Sequence, residues 1–243
     1  MRERVQSLYM GASGLRARAS YFTAPFSPDD ISGLQIWLKA DAITGLSDND
    51  PVATWEDSSS ANHDFTEATN RPVYKTNIVN GKPVVRFDGT NDKLSGGDLS
   101  GSFPSAATSF IVFSEANANK YTIYTTKNND THYSFVAPTD GYYGVFRSTR
   151  INNYPSSVPQ TDNVFRMWTT LSSSSTYEVW IDQVSQGSQT AGFDGGNDHE
   201  IGYQDGQGYY TACDVAELIC YDSALNSTQR GQVETYLKNK YNI

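Results

Sequence analysis

The sequence predicts an all-β protein, a sandwich or barrel built from many short antiparallel strands. Apolar and polar residues alternate in short runs, as in Leu34, Ile36 and Leu38, which is typical of a strand with one buried face. Aromatic residues make up 13 % of the chain, and 16 tyrosines stand against 3 methionines, a composition that favours β-structure. Turn-forming dipeptides separate the runs, namely NG at 80–81 and DG at 88–89, 140–141, 194–195 and 205–206.

The first expected element is a short helical turn that Ser27 caps, with Pro28 at its first position. Residues 34–39 follow as the first strand. The tract 172–175, four consecutive serines, is expected to be a hairpin loop. Further strands are expected at 52–55, 84–87, 110–113, 121–125, 133–136, 144–146, 165–170, 178–181, 199–201 and 215–221.

One segment near the end of the chain has helical rather than strand periodicity. Asn226, with Gln229 three residues later, resembles a capping box. Apolar residues follow at helical spacing, so we predict an amphipathic helix over 227–240 that packs on the sandwich. Gly231 weakens this helix by about 1 kcal/mol relative to alanine, so the helix depends on docking for its stability.

Charge is distributed unevenly along the chain. The first 20 residues contain Glu3 and four arginines, which gives this segment a net charge of +3. The remaining residues therefore carry a net charge of -12, and the sum is the -9 of the whole chain. Nucleic-acid-binding domains are basic, and the acidic body argues against that class. We predict an extended basic arm over 1–25 and one β domain over 26–243. The arm is expected to dock on a partner or on further copies of the chain through Arg2, Arg4, Arg16 and Arg18.

Export and membrane insertion are not expected. The first residues have no apolar run of the roughly 7–15 residues that a secretory signal needs. Nowhere do about 18 apolar residues follow one another, so no transmembrane helix is predicted. Cys213 and Cys220 would lie roughly 23 Å apart on one strand and on opposite faces, so we expect free thiols, as in a reducing cytosol.

Several segments, in order along the chain, resemble one known group of domains. They are 32–41 (SGLQIWLKAD), 55–59 (WEDSS), 71–72 (RP), 80–89 (NGKPVVRFDG) and 215–221 (VAELICY). The chain from about residue 27 onward is similar to laminin-G-like jelly-roll domains of the concanavalin A-like lectin/glucanase superfamily. The resemblance implies a two-sheet antiparallel jelly roll that often binds glycans, sometimes with calcium. Such domains occur in phage particles and in bacterial surface proteins.

Catalytic patterns are weak. Glucan-cleaving members of that superfamily carry carboxylates two residues apart on one strand, and no glutamate here begins such a pattern. Asp214 and Glu217, three apart, are expected to straddle the sheet, and Glu178 lies four residues from Asp182. The three histidines share no motif and are expected at the surface or at strand ends. We therefore predict no enzyme, with a hydrolase built from separate strands as the alternative.

Acidic turns offer one cofactor, calcium, since carboxylate and amide oxygens are its ligands. The prediction centres on Asp88, Asn91 and Asp92, although Asp and Asn are also ordinary turn formers. Similar residues occur at 48–50 and 194–198, and none of these turns has EF-hand spacing.

Glycan binding needs exposed aromatic faces beside hydrogen-bonding groups. Adjacent tyrosines on a strand point to opposite faces, so one of each pair is expected to be exposed. Cross-strand packing is the other use for the same rings. The predicted glycan-binding residues are Tyr142, Tyr143, Asn152, Asn153, Tyr154, Tyr209 and Tyr210.

Together these expectations favour a non-catalytic, lectin-like structural or attachment protein of a virus particle, most simply a phage. The arm would anchor it to other virion proteins, and the jelly roll would face outward to bind host-surface glycans. It would be made in the host cytoplasm, form a homo-oligomer, and sit on the capsid or tail. The alternatives are a carbohydrate-binding or adhesion module at the bacterial cell surface and a glycan hydrolase.

Overall fold

Two antiparallel sheets form the body of the protein in the computed structural model. The structure describes residues 24–99, 101–103, 106–115, 122–128, 131–136, 144–147, 149–151, 163–173, 175–190, 198–204 and 208–243. The arginines of the predicted arm lie outside the described residues. No helix in these ranges is long and apolar enough to cross a membrane.

In chain order, the described strands are followed by one α-helix. The first half contains β1 (Leu34–Lys39), β2 (Thr54–Trp55), β3 (Phe65–Thr66), β4 (Val73–Val79), β5 (Lys82–Asp88), β6 (Leu94–Asp98), β7 (Ala107–Glu115), β8 (Thr122–Asn128) and β9 (Thr131–Val136). The second half contains β10 (Gly144–Arg147), β11 (Thr149–Ile151), β12 (Arg166–Ser172), β13 (Thr176–Ile181), β14 (Val184–Thr190), β15 (Asp198–Ile201), β16 (Tyr203–Gln204), β17 (Tyr209–Tyr210), β18 (Ala212–Tyr221) and the helix α1 (Ser227–Tyr241). Single 3-10 turns occupy Pro28–Asp30 and Ala40–Ala42.

The predicted two-sheet antiparallel sandwich is confirmed. One sheet has the order β14-β13-β12-β7-β18-β5-β4, with β1 also paired to β18. The second has the order β11-β10-β9-β8-β15-β6-β3-β2, and β16 and β17 form a separate hairpin. The helix α1 lies against the first sheet, which we call the helix-side sheet, so the molecule has three layers.

Two apolar cores hold these layers together. The core between the sheets contains Trp55, which is fully buried, and Trp168, which is 1 % exposed. The core between the helix-side sheet and α1 contains Trp37, Val233 and Leu237. A buried valine or leucine contributes on the order of 1.5–3 kcal/mol, so these contacts stabilise the docking of α1.

Both predicted helical starts are confirmed. The Asn226 side chain accepts hydrogen bonds from the Thr228 and Gln229 amides, each at 3.0 Å, and the Asn226 amide donates to Gln229 Oε1 at 3.1 Å. At the other turn the Ser27 amide donates to Asp30 Oδ2 at 2.9 Å. These bonds satisfy amides that the first helical turn leaves without partners.

A bulge in β18 corrects one prediction. Val215 pairs with Phe113 and Glu217 with Val112, so Ala216 is an extra residue in the strand. The extra residue changes which side chains share a face. Cys213 and Cys220 therefore both face the core between the sheets, rather than opposite faces. Both are free and buried, as expected, and burial raises the pKa of each thiol, that of Cys220 to about 12.

The bulge also directs Glu217 toward α1, where it is fully buried. Its Oε1 accepts hydrogen bonds from Trp37 Nε1 at 2.6 Å and from the Tyr236 hydroxyl at 3.0 Å. Its Oε2 accepts from Tyr241 at 2.7 Å and from Lys240 Nζ at 2.7 Å. Burial, and next the Glu217 charge, raise the pKa of both tyrosines, so each remains a protonated donor.

Candidate functional site

The structure describes about half of the residues that the sequence assigned to binding. Tyr209, Tyr210, Asp88, Asn91 and Asp92 are described. The other predicted glycan-binding residues lie outside the described residues, namely Tyr142, Tyr143, Asn152, Asn153 and Tyr154.

The two described tyrosines lie in the hairpin of β16 and β17, which we call the tyrosine hairpin. Tyr203 pairs with Tyr210 across it, and their ring centroids are 4.7 Å apart at an interplanar angle of 32°. Tyr209 is 40 % exposed, whereas Tyr210 is half-buried. The expectation of one exposed ring is confirmed for Tyr209, and Tyr210 packs across the strands.

A lysine that sequence reasoning missed completes this surface. Lys93 Nζ lies 5.0 Å from the centre of the Tyr203 ring, a cation–π distance, and 3.8 Å from Glu200 Oε1. Burial raises the pKa of Tyr203, and Tyr210 and Glu200 add to that shift while Lys93 opposes it. The surface thus combines an aromatic face with a cation whose ion-pair partner, Glu200, is buried. In the sequence, the one indication that Lys93 belongs to this surface is its position directly after the Asp88–Asp92 turn.

The Asp88–Asp92 turn is held by its own side chains. Asp88 Oδ1 accepts hydrogen bonds from the amides of Thr90, Asn91 and Asp92 at 2.7, 3.2 and 3.4 Å. Asp92 Oδ2 accepts from the Asp88 amide at 3.0 Å. Burial is the largest cause that raises the pKa of Asp92 to about 6, and the Asp88 charge adds to it. This is the turn-forming use of the two aspartates.

Calcium binding at this turn gains no support from a donor cluster. Among the described residues no group of three or more His, Cys, Asp or Glu side chains could hold a metal ion. Calcium takes about six to eight oxygen ligands, and the carboxylates of Asp88 and Asp92 already accept backbone hydrogen bonds.

The fold brings the turn and the tyrosine hairpin together. Asp88 pairs with Ala212, which closely follows the hairpin. At Gly89, whose φ is +74°, an added Cβ would lie 2.7 Å from the Ala212 amide nitrogen, so only glycine allows this approach. Lys93 then bridges from the turn to Tyr203. Two groups that were predicted separately therefore form one surface.

Three of the four carboxylates considered for catalysis, Asp182, Asp214 and Glu217, have structural partners. Asp214 forms a bidentate ion pair with Arg86, at 2.6 and 2.7 Å. The bulge places Glu217 on the same, α1-facing side of the sheet as Asp214, so the expectation that they straddle it is wrong. Asp182 binds Arg166 at 2.7 Å. Each of these three carboxylates therefore faces a cation rather than an open cleft.

The described histidines differ from each other. His63 Nε2 lies 2.9 Å from Ser102 Oγ and is partly exposed. His199, expected at the surface or a strand end, lies within β15 and is only 2 % exposed, with its Nδ1 2.5 Å from the Tyr124 hydroxyl. Burial lowers the pKa of His199 to about 3, so this imidazole is neutral at physiological pH.

Comparisons with known proteins identify the architecture alone. No protein-family model matches the chain, and no curated protein matches it significantly in sequence. Trypanosoma rangeli sialidase in complex with sialic acid superposes with a TM-score of 0.61 and 12 % identity, over 86 % of this chain and 33 % of the sialidase. The chain therefore spans about a third of that enzyme's length.

Two binding domains are similar as well. Domain 4 of the extracellular arabinanase AbnA from Geobacillus stearothermophilus, in complex with arabinotriose, has a TM-score of 0.58 and 15 % identity over 81 % of this chain and 95 % of that domain. The binding domain of Paraclostridial Mosquitocidal Protein 1 has a TM-score of 0.56 and 11 % identity, over 88 % and 54 %. At such identities the likeness establishes a β-sandwich fold and nothing finer.

Proposed function

We propose that this chain is a non-catalytic sugar-binding module of the concanavalin A-like type, with the tyrosine hairpin as its binding surface. The observation that carries the proposal is the exposed ring of Tyr209 beside the Tyr203–Tyr210 stack and the Lys93 cation. A flat aromatic face covers the apolar side of a sugar ring, and the neighbouring charged and amide groups can orient its hydroxyls. Large, rigid tyrosines provide contact area at low entropic cost.

The surrounding turns supply polar groups for such a ligand. Asn91 is exposed in the turn that adjoins the hairpin. Glu67 has its pKa lowered by hydrogen bonds from the Thr69 and Asn70 amides, and Lys93 contributes to the same shift. The Lys93 amide donates to the Asn70 carbonyl at 3.2 Å, so the loop that contains Glu67 adjoins Lys93 and a ligand could contact both. A shallow, charged and aromatic surface of this kind suits a hydrophilic oligosaccharide better than an apolar ligand.

The experiment is a binding titration of the full chain with a panel of oligosaccharides that includes sialyllactose and arabinotriose. Tyr209→Ala should weaken binding about tenfold or more, which corresponds to a loss of about 1.4 kcal/mol. Val184→Ala is the matched control, because Val184 is 54 % exposed on the edge strand β14 of the helix-side sheet. Equal affinities of Tyr209→Ala and wild type, or no binding to any member of the panel, would contradict the proposal.

The absence of catalysis is tested on the same panel. Incubation of each bound oligosaccharide with the protein, followed by measurement of reducing ends, should show no increase over a buffer blank. Steady release of reducing ends would instead favour the hydrolase alternative.

We retain calcium as a proposal only at the Asp88–Asp92 turn. If the ion takes part, sugar affinity should fall when a chelator is added and return when calcium is restored.

We further propose that the module belongs to a virus particle and is anchored there by its basic arm. The support is the separation of charge, +3 in the first 20 residues against -12 in the rest. A short cationic segment ahead of an acidic domain suits attachment to an acidic neighbouring protein, and several anchored copies would increase avidity for surface glycans. A chain without residues 1–20 should keep its fold but lose incorporation into particles. Normal incorporation of that chain would contradict this role.

A further inference from the structure

A groove runs along the outer side of α1. It encloses about 650 Å³ and extends from Ser227 to Lys240. Pro25 and Phe26 form part of its wall, and Phe26 packs edge-to-face on Tyr236 with ring centroids 6.5 Å apart. The N-terminal segment of the described chain is therefore already part of the groove.

The floor of the groove is open above Gly231. A Cβ added at this glycine would meet no atom within 4 Å, so nothing among the described residues fills the space above it. Glycine inside a helix lowers its stability by about 1 kcal/mol relative to alanine. A helix tolerates such a residue where another group approaches closely, and the open space lies where an incoming side chain would fit.

The chain itself supplies the nearest candidates to fill the groove. Tyr21 and Phe22 come shortly before the first described residue, Ala24. Phe22 stands three positions before Pro25, so the two Cα atoms lie within about 10 Å of each other. The groove is about 20 Å long, since thirteen steps along α1 span it at about 1.5 Å each. Phe22 therefore cannot move farther from Pro25 than about half the length of the groove.

We propose that Tyr21 and Phe22 of the same chain occupy this groove and fasten the arm to α1. Aromatic rings bury about 150–250 Å² each, and leaving both in water beside an apolar groove is unfavourable. Edge-to-face packing on the Phe26–Tyr236 pair would extend an aromatic cluster that the structure already contains. The four arginines all precede Tyr21, so they remain available to a partner.

This attachment goes beyond the proposed function, because it holds whether or not the module binds a sugar. It fixes where the arm leaves the domain, namely at the α1 face. The free part of the arm then ends at about Ser20 rather than at Thr23. A domain anchored through such an arm would present its α1 face to whatever the arm binds.

Two arm variants of the full chain test the attachment. Tyr21→Ser/Phe22→Ser should lower the Tm by about 4 °C, because it removes two rings from an apolar groove. Arg16→Ser/Arg18→Ser, the matched control in the same arm, should leave the Tm within about 1 °C. Equal Tm values for the two variants and wild type would overturn the proposal.

A disulfide experiment identifies which chain fills the groove. Ser20→Cys/Gln232→Cys keeps both rings and joins the arm to the exposed groove residue Gln232, whereas Ser20→Cys/Thr90→Cys joins it to a turn elsewhere. Cys213 and Cys220 are buried and should not compete. Mild oxidation should close an intramolecular disulfide in the first variant only, seen as a mass loss of about 2 Da. A covalent dimer would show that the arm of a second copy fills the groove, and no selective disulfide would show that neither does; either result overturns the proposal.

Discussion

Replacing Lys240 by methionine tests the buried ionic cluster that fastens α1 to the sheet. The Lys240 side chain is 12 % exposed, and its Nζ lies 2.7 Å from Glu217 Oε2 and 2.8 Å from Asp41 Oδ1. Methionine keeps most of the apolar length of the side chain but removes the charge. The fully buried Glu217 carboxylate would then retain only its neutral donors, Trp37, Tyr236 and Tyr241.

The structure sets the expected magnitude. Removing one partner of a buried ion pair costs about 3–5 kcal/mol, because the other charge stays buried without compensation. Three remaining hydrogen bonds to Glu217 place the Lys240→Met variant at the lower end, about 3 kcal/mol. For a chain of this length that corresponds to a Tm lower by roughly 6–12 °C.

Urea unfolding of wild type, Lys240→Met and Lys238→Met measures the effect. Lys238 is the matched control, because it is exposed on the same helix and its ammonium contacts Gln183 at 3.4 Å rather than a carboxylate. The control should change the free energy of unfolding by less than about 0.5 kcal/mol. If Lys240→Met were no more destabilising than Lys238→Met, the buried cluster would not be what fastens α1.

Three further predictions concern single positions. Gly96→Ala should lower the free energy of unfolding, because its Cβ would lie 2.6 Å from the Phe65 ring; a thermal melt of this variant against wild type measures the loss. Asn226→Ala removes the cap of α1 and should cost about 1 kcal/mol in urea unfolding. The pKa of Asp92 is raised to about 6 in the folded state, so the folded state binds the proton more tightly and stability should fall as pH rises from about 4 to 6. Asp92→Asn should remove that part of the pH dependence, and an unchanged stability–pH profile would contradict it.

Much of the fold could be predicted because burial and local chemistry agree along most of the chain. The alternation in β1 and the asparagine cap of α1 each follow from a local rule. The missed strands lack such signals. Residues of β14 are almost all polar, because it is an edge strand, and β6 contains two adjacent glycines. Strand pairing at these positions depends on neighbours that are distant in sequence.

The candidate site was predictable in its parts and not in its assembly. Exposure of Tyr209 follows from the alternation of side chains along a strand. The approach of Lys93 to Tyr203 does not, because it depends on the pairing of β18 with β5, which joins residues more than a hundred positions apart. A single sequence contains no local signal for that pairing, so Lys93, Tyr203 and Glu200 could be recognised only once the sheet was known.

The extra residue Ala216 explains why one local rule failed and why α1 could dock. Strict alternation along β18 would direct Glu217 into the apolar core between the sheets and Cys220 toward the helix. The bulge falls where β18 changes partners, from β5 at Ala212–Val215 to β1 at Glu217–Tyr221. There it reverses the alternation, so the Cys220 thiol enters the apolar core, as Cys213 does before the bulge, and the Glu217 carboxylate meets Lys240. Deleting Ala216 should therefore leave Glu217 on the α1 side with its four donors, because the shortened strand alternates regularly from Val215 to Glu217. Urea unfolding of that variant should show a loss well below the roughly 3–5 kcal/mol that an uncompensated buried charge would cost.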